Sequence, residues 1–81
     1  MNRTDAESLL RQALHQVAPD VDLDALQPDD DLRETLGLDS LDFLQIVELL
    51  SERSGMRIDE DDYGQLAVVA GALDFLSTPR V

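Results

Sequence analysis

Asp39-Ser40-Leu41-Asp42-Phe43-Leu44-Gln45-Ile46-Val47-Glu48-Leu49-Leu50 decides how the rest of the chain is read. Leu41, Phe43, Leu44, Ile46, Val47, Leu49 and Leu50 make a helix that is apolar over more than one face, the pattern of a central helix in a bundle. Asp39 stands at the N-cap, where its carboxylate accepts backbone N–H groups two or three residues on. Gly55 is the expected C′ residue, because glycine enters the left-handed conformation there without a Cβ penalty.

Before this helix, Thr4-Asp5-Ala6-Glu7 has the spacing of a capping box. Ala6, Leu9, Leu10, Ala13, Leu14 and Val17 follow at helical spacing. Pro19 displaces the residue before it from the α region, so a first helix is predicted from about Asp5 to Ala18. From Pro19 to Asp39 the periodicity breaks. Seven aspartates and two prolines are interspersed with Val21, Leu23, Leu26, Leu32, Leu36 and Leu38. Six large apolar residues do not belong in a floppy linker. They indicate a long ordered loop over the core, with a helical turn near Leu32–Leu36. After the central helix, Asp59-Glu60-Asp61-Asp62 suits a first helical turn, where acids meet the positive end of the macrodipole. A short helix from about Asp59 to Gly64 is predicted. Val68, Val69, Ala72, Leu73, Phe75 and Leu76 form a last helix that stops before Pro79. The expected fold is all-α: a small four-helix bundle of three principal helices and one short one, in a single domain over 1–81 with its helical part at about 5–77. The expected core is Leu10, Leu14, Val17, Ile46, Val47, Leu50, Ile58, Leu66, Val69, Ala72 and Leu73, enclosing a cleft that admits cargo.

Composition narrows the function classes. Six arginines and no lysine oppose eighteen acids, for a net charge of −12. Such a surface repels phosphates, which argues against nucleic acid and anionic membranes as partners. It steers the chain toward basic partner surfaces, or serves solubility alone. There is no cysteine, hence no disulfide frame and no thiolate metal site. The polar start Met1-Asn2-Arg3-Thr4-Asp5 and the absence of a long apolar run give no signal peptide or membrane span, so the cytoplasm is the expected location.

Ser40 lacks the company of a catalytic serine. A nucleophile needs a base within reach and a group to orient it. The one histidine, His15, falls at the solvent edge of the first helix, and Gly37-Leu38-Asp39-Ser40-Leu41 is not the Gly-x-Ser-x-Gly elbow. The chain is not expected to be an enzyme. Asp20, Asp22 and Asp24 match the first half of a calcium loop. Ala25, Pro28 and Asp31 then fail where glycine, a ninth ligand position and a bidentate glutamate are needed. No selective metal site is expected, although weak divalent binding at the acidic clusters remains open.

With its Gly37-Leu38 turn, its Asp39-Ser40-Leu41-Asp42 motif and an acidic helical frame from about Asp5 to Leu76, the chain resembles the acyl carrier proteins of fatty-acid and polyketide synthesis. The Ser-Leu-Asp-Phe-Leu run is similar to that of divergent stand-alone bacterial carriers. The resemblance implies a 4′-phosphopantetheine arm on Ser40, flanked by Asp39 and Leu41, whose terminal thiol holds acyl groups as thioesters. It also implies a partner-recognition face of Asp39, Leu41, Asp42, Leu44, Gln45, Glu48 and Glu52. The implied partners are a phosphopantetheinyl transferase and acyl-loading and acyl-processing enzymes with basic docking surfaces, the carrier itself being a monomer. The implied acyl pocket is Phe43, Ile46, Val47, Leu50, Ile58 and Leu66. A phosphodiester at a helix N-terminus also meets free N–H groups and the positive dipole end.

Departures from that family stand at Gln45, where a glutamate is usual, and at Glu48, where an apolar residue is usual. Phe43 replaces a smaller residue near the pocket mouth; it is either ordinary core filling or a constriction that limits chain length. The last helix has Ala67 and Val68 where the family has a threonine, so its start is expected to fray, at roughly 1 kcal/mol. Two alternatives stand beside the acyl carrier: a carrier for aminoacyl or aryl groups, and an unmodified acidic interaction or calcium-linked module.

Overall fold

The computed structural model describes residues 1–78. Five α-helices occur among them, joined by two short 3-10 turns: α1 (Arg3–Val17), α2 (Leu32–Leu36), α3 (Ser40–Ser54), α4 (Tyr63–Leu66) and α5 (Val69–Ser77). The only β pairing among the described residues is an isolated bridge between Asp31 and Val68. The all-α bundle with three long helices is as expected.

α1 begins two residues before the expected Asp5. Its cap is Asn2, whose Oδ1 accepts the Asp5 N–H at 2.8 Å, and not the Thr4–Glu7 box. Asparagine caps at least as well as threonine, and this start places Arg3 on the helix, from which it reaches Asp74 of α5 at 2.6 Å. The helix stops at Val17, one residue short of the expectation. Ala18 takes φ −135° as its C-cap, because the residue before a proline leaves the α region.

The segment between α1 and α3 is ordered by its own aspartates. Asp22 accepts the Asp24 N–H at 3.1 Å and opens the 3-10 turn Leu23–Ala25. Asp31 Oδ1 accepts the N–H groups of Arg33 at 2.9 Å and Glu34 at 3.0 Å, capping α2. Leu32 and Leu38 are buried, and Leu23, Leu26 and Leu36 pack partly buried against the core.

The expected helix over Asp59–Gly64 divides into a 3-10 turn, Glu60–Asp62, and α4, which runs on to the buried Leu66. Asp62 accepts the Asp59 N–H at 3.0 Å, closing a tight first turn of the kind that 3-10 geometry serves. Val68 supplies no side-chain cap to α5, but the expected fraying is overturned. Val69 donates to the Asp30 carbonyl at 3.1 Å and Ala70 to the Pro28 carbonyl at 2.8 Å, while Leu32 donates to the Ala67 carbonyl at 2.7 Å. Loop carbonyls satisfy the orphan donors that a threonine would have served. α5 ends at Ser77 with Thr78 as C-cap; Pro79 lies outside the described residues.

α1 packs against both α3 and α5, and α4 packs on α5. The largest fully buried side chains are Leu14, Leu32, Ile46, Leu50, Leu66 and Leu76. Val17 and Ile58, expected in the core, are only half-buried at its margin. Gly71 permits the close approach of α4 and α5: a Cβ there would collide with the Gln65 carbonyl oxygen. No helix among the described residues is long and apolar enough to cross a membrane.

Candidate functional site

Three local devices deliver Ser40. Gly37 takes φ +67°, a left-handed turn that ends α2, and the Arg33 carbonyl accepts the N–H groups of both Gly37 and Leu38. Leu38 is driven into the core at 9% exposure. Asp39 is extended, and its Oδ1 accepts the Asp42 N–H at 2.8 Å while Asp42 Oδ2 accepts the Asp39 N–H at 3.5 Å. The reciprocal pair fixes the first turn of α3 as a capping box does. Ser40 is the first residue of that helix and is exposed. Its Oγ therefore stands at a rigid, accessible corner, next to the positive end of a 15-residue helix.

Among the described residues, the side chain hydrogen-bonded to Ser40 Oγ is Arg33, whose Nη2 donates at 3.4 Å. Arginine is a permanent cation and cannot take the hydroxyl proton. His15 is exposed on α1. Two of the three calcium-loop aspartates are used structurally: Asp22 caps a turn and Asp24 pairs with Arg11. No group of three His, Cys, Asp or Glu side chains among the described residues is placed to hold a metal ion.

Beside Ser40 lies an open groove of about 300 Å³, lined by Arg33, Ser40, Phe43, Leu44, Tyr63 and Ala67, with Gly64 in its wall. Phe43 is 5% exposed and is held from two sides. Tyr63 meets it edge to face, with centroids 6.0 Å apart at 81°, and the Arg33 guanidinium carbon lies 5.8 Å from its centroid. Both arrangements suit the ring's quadrupole. Of the other expected pocket residues, Ile46, Val47, Leu50 and Leu66 are packed into the same buried cluster as Phe43, and Ile58 lies at its edge. None of these five lines the groove.

The expected recognition residues fall along the outside of α3. Leu41 is 71% and Leu44 38% exposed; Asp39, Gln45, Glu48 and Glu52 are exposed and Asp42 is half-buried. Gln45, Glu48 and Glu52 also border a groove against Gln16 and Val17 of α1, a pairing of helices that Arg53 reinforces through Gln16 at 2.7 Å. Sequence reasoning did not find Arg33, Tyr63 or Gly64 at the site. The signal for Arg33 was present in the Asp31 cap and the Gly37 stop, which bound a short helix just ahead of Ser40. Tyr63 arrives from a distant element and left no local signal.

The family model described as phosphopantetheine attachment site matches residues 8–76. An acyl carrier protein of Nitratidesulfovibrio vulgaris is 33% identical over 60 residues, which is 74% of this chain and 79% of its own length. One of Rubrobacter xylanophilus is 31% identical over 75 residues, 89% of this chain and 91% of its own. One of Acidothermus cellulolyticus is 30% identical over 56 residues, 69% and 67% respectively. With a phosphopantetheine-site match over most of its length and relatives of this kind, the chain belongs to the acyl carrier protein family.

Proposed function

We propose that this protein carries acyl groups, with Ser40 as the attachment point of a 4′-phosphopantetheine arm. The observation that carries the assignment is the exposed Ser40 hydroxyl at the capped start of α3, inside the stretch matched by the phosphopantetheine-site family. The donor set suits a phosphodiester there: the guanidinium of Arg33 beside Oγ and the helix N-terminus both favour an anion. When bound, the arm supplies a thiol that holds an acyl group as a thioester.

Ser40 Oγ acts only once, as the nucleophile that displaces adenosine bisphosphate from coenzyme A. The hydroxyl proton passes to a base of the modifying transferase, since Arg33 cannot accept it. Asp39 and Leu41 flank the serine; the leucine offers an apolar contact and the carboxylate a charge to a basic enzyme surface. Leu44, Gln45, Glu48 and Glu52 extend that face along α3, with Asp42 supporting its first turn. The protein is thus a non-catalytic, monomeric carrier of the cytoplasm, serving transferases and acyl-processing enzymes. Cargo enters at the groove beside Phe43, and the buried Ile46, Val47, Leu50 and Leu66, with Ile58 at the margin, form the apolar space beyond it. Phe43 is the constriction, which fits short or compact acyl groups better than long chains.

Mass measurement after incubation with coenzyme A, magnesium and a broad phosphopantetheinyl transferase tests the assignment. One added arm is expected on the wild type and none on Ser40→Ala. An unchanged wild-type mass, or equal gains in both, sinks it in favour of an unmodified interaction module.

A further inference from the structure

Five of the six arginines lie within the described residues. Arg3, Arg11 and Arg57 pair with Asp74, Asp24 and Asp59, and Arg53 donates to Gln12 and Gln16. Arg33 forms no ion pair among the described residues. In a chain with eighteen acids, that is a cation left for another anion. The nearby Asp31 and Asp39 carboxylates are engaged in capping α2 and α3.

We propose that Arg33 is the positioning residue for the phosphodiester on Ser40, holding the arm's near end over Phe43 so that the arm runs into the groove. The inference rests on the carrier assignment above. Arg33 and Ser40 are seven residues apart and are brought together by the Gly37 turn. The Arg33 carbonyl receives both N–H groups of that turn, so the backbone that places Ser40 also places the guanidinium. The contact to Oγ at 3.4 Å is at the long end of hydrogen bonding, so the hydroxyl satisfies the guanidinium poorly. Esterification puts the two non-bridging phosphate oxygens two bonds beyond Oγ, where the planar fork of donors can take both. The guanidinium already lies over the Phe43 ring, its carbon 5.8 Å from the centroid, which favours the orientation toward Ser40. It also offsets one more negative charge on a chain already at −12. Lysine keeps the charge but not the planar fork.

Wild type, Arg33→Gln and Arg33→Lys are converted with coenzyme A and a broad transferase, and conversion is verified by mass. Phosphorus NMR then compares each folded sample with the same sample in denaturant. The wild-type resonance is expected to be displaced on folding, the displacement to fall by half or more in Arg33→Gln, and to be partly restored in Arg33→Lys. The Arg33 side-chain N–H resonances of the wild type are expected to shift on conversion, a readout that needs no variant. Full conversion with equal phosphorus displacement in wild type and Arg33→Gln, or unmoved Arg33 side-chain resonances, overturns the positioning role and leaves the carrier assignment intact. No mass gain in the wild type overturns the carrier assignment itself.

Discussion

Phe43 combines two properties in one side chain: it is nearly buried, and it forms the wall of an open groove beside Ser40. Removing the ring in Phe43→Ala is expected to cost about 3 kcal/mol, from lost burial and the cavity left behind, measured by urea unfolding. Phe43→Leu should fold and widen the groove, so long-chain thioesters on it should resist hydrolysis better than on the wild type. Equal protection on both proteins would show that the ring is filling and not a constriction. Ser40 and its neighbours Asp39 and Leu41 could be picked out from the chain because a capping pattern, a glycine turn and an apolar helix all fall within a short stretch. Tyr63 could not, because its contact with Phe43 is made by tertiary packing, which local spacing does not encode; for Arg33 the Asp31 cap and the Gly37 stop were legible, but its approach to the Phe43 ring was not.

At the level of elements, caps and close approaches decide which boundaries hold. α3 was readable in full: Asp39 at one end, Gly55 at φ +72° at the other, and an apolar run between. α1 was displaced because two competent caps, Asn2 and Thr4, compete; asparagine is at least as good a cap, and the earlier start comes with the Arg3–Asp74 contact. Asp39→Ala removes a capping acceptor and should lower stability by about 1 kcal/mol, or roughly 4–8 °C in melting temperature for a domain of this size. Gly71→Ala tests the α4–α5 approach. Alanine is ordinarily the better helix former, by roughly 1 kcal/mol. Here its Cβ meets the Gln65 carbonyl oxygen, so thermal melting should fall; a rise would mean that the two helices part easily.

Across the whole molecule, the net charge of −12 is opposed by ion pairs that are all solvent-exposed among the described residues. Exposed pairs contribute about 0–1 kcal/mol each, so net self-repulsion is the expected balance. The melting temperature is expected to rise as salt goes from about 0.01 M to about 1 M, with the Debye length shrinking from roughly 30 to 3 Å; a flat or falling melting curve counts against net repulsion. The start of α5 adds a long-range constraint to this picture. Because the Val69 and Ala70 amides are capped by Asp30 and Pro28, that helix end belongs, in hydrogen-exchange terms, to the loop. Its two amides should exchange with the loop's opening rate and not with that of the α5 interior. Replacing Asp31, whose carboxylate orders the loop's last turn, with alanine should accelerate exchange at Val69 and Ala70 while leaving Leu73 and Leu76 slow. A perturbation before Ser40 would then be reported by the start of the last helix.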